Sequence, residues 1–416
     1  MATRSSSQLV FASVVACLIT AGWSANHFAS VLVVLRESQG LSTLLVNAAY
    51  GIYAIGLFPC LIAGGLIADR FGSRPVVLVG SAIAALGNLA LMIWSSPGVL
   101  LTARFVIGLG VGLVVSAGTA WAGRLRGTHG TTAAGIFLTS GFMLGPVASG
   151  ILAFVLNDAQ SLVVPYIVSI VLSVAAIAFS LVVGDATQHT VTFREITSSD
   201  TTSIDGEEAA AEALGGTPDK QAEPAPIERS SVKALATSVP VAMWVFASMT
   251  SAIIVLAGRV GQHFESSAFM PGVGAFMAFG SGLIIQALGR KFEWGPRSGV
   301  IGALCSVVGM TLVALGGALP PVWLFPIAAV FLGLAYGLCL RDGLMDVDTF
   351  TPPHKRGGVI GIYYVATYIG FGYPPLIEWL DQYVGPSLPF WVLAALALTS
   401  AIIRTTQIRS GYLNRK

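Results

Sequence analysis

Apolar residues in this chain come in long uninterrupted runs, unlike the alternation of a strand or the one-sided stripe of a soluble helix. Runs bounded by charge or turn residues lie at about 9–35, 42–68, 75–95, 99–123, 131–156 and 161–183. After a break they resume at about 236–258, 265–288, 298–317, 321–341, 357–377 and 386–404. Each can cross the ~30 Å hydrocarbon layer at ~1.5 Å per residue, and an isolated segment in lipid satisfies its backbone only by coiling. The pattern predicts an all-α membrane protein with twelve transmembrane helices. The first run follows Arg4 and has small residues around 21–29, as a secretory signal would. It continues to Leu35, longer than a signal core, and reads as an uncleaved first span.

The break divides the chain into residues 1–183, a first six-helix bundle, and 236–416, a second one with a short tail. Residues 184–235 hold half of the chain's 20 acidic residues among Ser, Thr, Ala and Pro. Such a stretch buries too little apolar surface to order itself and reads as an acidic linker. The two halves repeat. Arg36 followed by Gly51 matches Arg259 followed by Gly274, Arg104-Phe-Val-Ile-Gly108 aligns with Ala329-Val-Phe-Leu-Gly333, and Gly135-Ile-Phe matches Gly361-Ile-Tyr. A duplicated unit with a path between its copies predicts two pseudo-symmetric bundles working by alternating access.

Composition agrees with lipid as the solvent: 55% of residues are hydrophobic and 10% charged, where a soluble domain carries ~25% charged residues. The placement of charge gives orientation. Arg70, Arg74, Arg124, Arg126, Arg290, Lys291, Arg297, Lys355 and Arg356 fall on one side, joined by Arg404, Arg409, Arg415 and Lys416, while Arg36 and Arg259 sit at the other. This bias predicts a cell-membrane protein with both termini cytoplasmic. Cys17, Cys60, Cys305 and Cys339 lie in apolar runs without metal-ligand spacing, so they read as packing residues. No metal and no cofactor are expected. The absence of a P-loop argues against an ATP-driven pump, basic residues scattered between spans argue against nucleic-acid binding, and no constellation of catalytic side chains suggests an enzyme.

Three motifs carry a resemblance. Between spans 2 and 3 stands Gly65-Leu-Ile-Ala-Asp69-Arg70-Phe-Gly72-Ser-Arg74. Gly65 allows close helix approach and Gly72 a tight turn. The stretch resembles the major facilitator superfamily loop GxxxDRxGRR, with Ser73 in place of an Arg. The resemblance implies a gating latch in which Asp69 meets Arg70 or Arg74 and the start of span 11. A blurred copy, Gly289-Arg-Lys-Phe-Glu293-Trp-Gly295-Pro-Arg297, puts Glu293 where Asp69 stands. In span 4, Arg104 and the glycines after it resemble the family's RxxxGxG, implicated there in proton coupling. In span 5, Gly141-Phe-Met-Leu-Gly145-Pro146-Val-Ala-Ser149-Gly150 resembles gxxxGPxxGG, which the family associates with exporting antiporters.

Span 1 presents Trp23, Asn26, His27 and Ser30 at helical spacing, near the depth of Arg104. Polar groups in a span need partners, and a His/Arg/Asn cluster suits a substrate or proton pathway. Tyr336, Tyr364, Tyr368, Tyr50 and Tyr53 offer aromatic surface with polar tips, with Gln286 and Met249 as weaker lining. By these limits no Asp or Glu lies mid-span, which disfavours multivalent cations as cargo. The expectation is a monomeric secondary transporter exporting small amphipathic molecules in exchange for protons. An uptake permease for a polar metabolite and a non-transporting membrane sensor are the alternatives.

Overall fold

The structure is a computed structural model that describes residues 2–94, 96–183, 229–352 and 355–415. Most of the expected linker lies outside the described residues; its last stretch is helical, because the seventh span begins at Ser231. Eleven helices are long and apolar enough to cross a membrane: α1 Ser7–Gln39, α2 Thr43–Phe71, α3 Ser73–Ile93, α4 Pro97–Gly127, α5 His129–Val155, α6 Asp158–Val183, α7 Ser231–Gly261, α8 Met270–Lys291, α9 Arg297–Gly316, α10 Leu324–Phe350 and α12 Leu388–Arg409. The twelfth, α11, is broken into Arg356–Tyr368, a 3₁₀ turn at Ile369–Gly372, and Tyr373–Val384. Pro374 and Pro375 explain the break, since neither has an N–H to donate back into the turn.

Turns are tight where the sequence supplies the residue. Gly72 joins α2 to α3 with φ +87°, and Gly127 turns α4 into α5 with φ +57°. Such short connections leave neighbouring helices antiparallel. The connections that carry basic residues, 70–74, 124–129 and 290–297, share one side, called here the basic face.

Packing follows the duplication. In the first half α4 is the hub for α1, α2 and α3, and in the second half α10 is the hub for α7, α8 and α9. Without a hydrophobic drive between helices in lipid, close backbone approach carries the association. An added Cβ at Gly56 would run into the Phe105 carbonyl of α4, and one at Gly108 into the Tyr53 carbonyl of α2. Gly333 and Gly337 meet the backbone of α8 in the same way. Outward, Leu66, Val155 and Val182 stay exposed, the apolar coat that lipid covers.

The two bundles meet along two related seams, α5 against α8 and α2 against α11. Opposite the basic face, Gly150 packs against Phe269 at the start of α8, Phe154 meets the same ring at 6.0 Å, and Ser267 donates to Glu37. On the basic side a Cβ at Gly361 of α11 would stand 3.5 Å from the backbone of both Leu61 and Ile62 in α2.

Candidate functional site

Midway along the seams the halves are joined by aromatic rings. Phe142 of α5 lies 5.9 Å from both Phe246 and Phe279 of the second half. Tyr50 and Tyr53 of α2 meet Phe371 of α11 at 5.3 and 5.6 Å. Tyr368 stacks on Phe246 at 4.4 Å, and Tyr336 joins through Phe246 and Phe279. One polar link crosses here, Thr139 to the Tyr336 hydroxyl at 2.9 Å. Tyr336 and Tyr368 thus lie among the rings that join the two halves. Tyr364 does not join this cluster; its ring pairs with neighbouring Tyr363. Phe142, Phe246, Phe279 and Phe371 were missed, because a buried Phe in an apolar run carries no mark of its position.

Behind the Tyr50/Tyr53 pair lies the polar group of the first half. Asn26 donates to the Phe142 carbonyl at 3.1 Å and accepts from the Tyr50 hydroxyl at 2.8 Å. Arg104 is fully buried. Its Nε donates to the Ala49 carbonyl and one Nη to the Ala25 carbonyl, both at 3.2 Å. The guanidinium lies over Phe28 at 4.5 Å and over Tyr53 at 4.9 Å. His27 donates through Nδ1 to the Trp23 carbonyl at 3.1 Å and turns its ring edge-on to Tyr166. Asn26, His27 and Arg104 are thus gathered, but through carbonyls and rings rather than through one another. Among the described residues, Arg104 Nη1, His27 Nε2, Tyr53 OH and Trp23 Nε1 are buried without a hydrogen-bond partner.

The span-5 glycines seat α5 on α1. A Cβ at Gly141 would enter the Ile19 carbonyl, and one at Gly145 would stand 3.0 Å from both the Trp23 oxygen and the His27 nitrogen. Pro146 accepts from Ser30 at its carbonyl, 2.9 Å away, and the Phe142 carbonyl that its missing N–H leaves free accepts from Asn26. The second half repeats the device, with Gly370 of α11 pressed on Ala247 of α7.

The loop latch differs from expectation. Asp69 pairs with Arg124 at 3.5 Å, on the surface, rather than with Arg70 or Arg74. Arg74 instead donates to the Ser180 and Leu181 carbonyls at 2.9 and 3.2 Å, satisfying the open carbonyl end of α6. Gly65 lies 3.7 Å by its would-be Cβ from Ser116 of α4. Glu293 takes φ +48° in an exposed turn, so the second copy of the loop is a turn rather than an ion pair.

The largest correction concerns acids. Span 10 does not end at residue 341; α10 runs to Phe350 and carries Asp342 and Asp346, both fully buried. Four residues apart, they share one helix face. Arg404 of α12, also fully buried, bridges both carboxylates and donates to the Thr237 carbonyl of α7 at 2.8 Å. From beyond α12, Arg415 reaches Asp342 at 2.8 Å and Asp346 at 2.7 Å. Ser298 of α9 adds a bond to Asp342 at 3.1 Å. Two carboxylates and two guanidiniums form a neutral knot tying α7, α9, α10 and α12 at the basic face. Arg404 and Arg415, counted from sequence as charges on a wet surface, are internal partners.

The sequence profile of the Major Facilitator Superfamily matches residues 12–372. Among curated proteins, the multidrug resistance protein MdtL of Klebsiella pneumoniae (strain 342) is 30% identical over 78 residues, 19% of this chain and 20% of that protein. The match thus spans about a fifth of the length of such relatives. Solved structures resemble the whole chain. A POT family transporter in complex with a thioalcohol-conjugated peptide has a TM-score of 0.73 at 15% identity, covering 98% of this chain and 96% of that one. The D-xylose-proton symporter has a TM-score of 0.69 at 14% identity, covering 95% and 96%.

Proposed function

The chain belongs to the Major Facilitator Superfamily and is a multi-pass transporter, not an enzyme; from that premise we propose that it exports small amphipathic molecules across the cytoplasmic membrane in exchange for protons. The aromatic cluster shared by both halves carries this reading. Phe142, Tyr50 and Tyr53 on one side and Phe246, Phe279, Tyr336, Tyr368 and Phe371 on the other form an apolar, polar-tipped surface. Parting at the seams exposes that surface to one side of the membrane at a time, and a hydrophobic body with a polar edge fits it. The moving bodies are residues 1–183 and 236–416, with both termini cytoplasmic and the chain monomeric.

The direction of transport rests on the α5 glycine pattern and on the short segment shared with a multidrug resistance protein. Protonation falls to His27, buried in the first half beside Trp23 and Tyr166. The test is flux. Inside-out vesicles carrying the chain should accumulate amphipathic dyes when an inward-acid gradient is imposed, and should acidify the outside in return. Accumulation that ignores the gradient removes the proton, and uptake of peptides or sugars in right-side-out vesicles reverses the direction.

A further inference from the structure

Arg104 is a fully buried cation for which the first half supplies no counter-charge. Among the described residues no carboxylate bonds or pairs with it. The acids of that half are used elsewhere or lie at the rims: Glu37 with Ser267 and Arg36, Asp69 with Arg124, and Asp158 at the start of α6. His27 does not serve either, since its Nδ1 is committed to a carbonyl and a neutral ring carries no charge. Two carbonyls and two aromatic faces soften the burial of the guanidinium but leave its charge in place. Arg404 in the second half also leaves its Nε open, but it holds two carboxylates; among the described residues Arg104 holds none, and its Nη1 has no partner. Neither has the hydroxyl of Tyr53, whose ring lies against that guanidinium.

The position of this cation matters as much as its lack of a partner. The Tyr53 ring meets both Arg104, at 4.9 Å, and Phe371 on the opposite half, at 5.6 Å. Tyr50 likewise covers the spot and stacks on Phe371. One residue behind Phe371 of the α2/α11 seam therefore stand Tyr53, with its open hydroxyl, and Arg104 against its ring. By contrast, the buried acids of the second half are already balanced one for one by Arg404 and Arg415.

We propose that the transported molecules are amphipathic monoanions: an aromatic or aliphatic body held among the seam rings, and a carboxylate received by Arg104 Nη1 and the Tyr53 hydroxyl. No bond is made or broken; the anion completes the hydrogen bonds that the closed seam leaves open and supplies the missing counter-charge. This deepens the transport reading above and rests on it for the route by which the anion arrives.

Three probes of one shape separate the charges: naphthylacetate, naphthylacetamide and naphthylethylamine, titrated into the purified full-length protein in lipid nanodiscs with tryptophan fluorescence as the readout. Naphthylacetate should bind at least about tenfold more tightly than the amide, the worth of a charge-assisted bond pair, and the amine should bind most weakly. Arg104→Gln should erase the acetate–amide difference, the larger loss falling on the acetate. Tyr53→Phe should narrow the difference a few-fold. Should Arg104→Gln fail to fold, Arg104→Lys keeps the charge with fewer donors and should retain a reduced preference for the acetate. Equal binding of acetate and amide by the wild type, a preference for the amine, a preference surviving Arg104→Gln, or no binding of any probe each overturns the proposal. Gradient-driven dye export alongside such a result would leave the transporter reading standing while the anion falls.

Discussion

Replacing Arg404 by methionine probes how far the second half depends on its charge knot. The substitution keeps most of the side-chain volume and removes one of the two cations that Asp342 and Asp346 share. Both carboxylates are fully buried, so neither can turn to water. Unpairing a buried charge costs about 3–5 kcal/mol, and here one guanidinium serves two acids and the Thr237 carbonyl, which places the loss at the upper end. For a unit the size of one six-helix half, that is on the order of 10 °C in midpoint. The compensating variant decides the cause. Arg404→Met with Asp346→Asn leaves Asp342 against Arg415, one charge each, and should recover most of the loss even though a second side chain has been altered. The assay is thermal unfolding of purified protein in detergent, followed by retention of the monodisperse peak. If Arg404→Met melts with the wild type, or if the double variant melts as low as the single one, charge balance is not what Arg404 contributes.

Other outcomes follow from the contacts. Asp69→Asn should leave stability within about 0.5 kcal/mol, since its pair with Arg124 is largely exposed, while slowing transport in vesicles; unchanged flux would remove the loop from gating. Gly141→Val should abolish assembly of monodisperse protein, because a side chain there enters the backbone of α1, whereas Gly280→Ala, with open space around it, should be neutral. Thr139→Val should weaken the joined state by about 1 kcal/mol, the worth of one hydrogen bond to Tyr336. Spin labels at Glu37 and Ser267, which meet across the face opposite the loops, should then report a several-fold rise in separated pairs, and an unaltered distance distribution would mean that this bond does not hold the seam.

Hydropathy found the spans because each helix must be apolar along its whole length to lie in lipid, and no partner is needed to read that. The repeat was legible for the same reason: Gly108 and Gly333 mark close approach, and a residue without a side chain betrays its role wherever it stands. What a run of letters hides is pairing at a distance. Asp342 reads as the end of a span because an acid is costly in lipid; Arg404, 62 residues further on, removes that cost, and α10 continues. The break in α11 was foreshadowed by Gly370, Gly372, Pro374 and Pro375, whereas the identity of its neighbour Phe371, against Tyr50 and Tyr53, was not. The partner of Asp69 was hidden in a third way: the sequence offers several nearby arginines, and only the placement of α4 selects Arg124.

The two copies share a fold but differ in how they hold charge, and the difference separates their tasks. In the second half the charges are paired within the bundle, across four helices at the basic face, and every carboxylate oxygen is engaged. A neutral knot of that kind resists rearrangement, because moving any one helix would uncover a buried ion. In the first half a single guanidinium stands beside the seam with an open donor, the arrangement of a site that waits for something to come. On the proposed anion route, a rigid partner and a receptive one divide the work: the seam aromatics would supply the surface that opens, the knot would keep the second half in one piece, and Arg104 would supply the charge that receives the cargo.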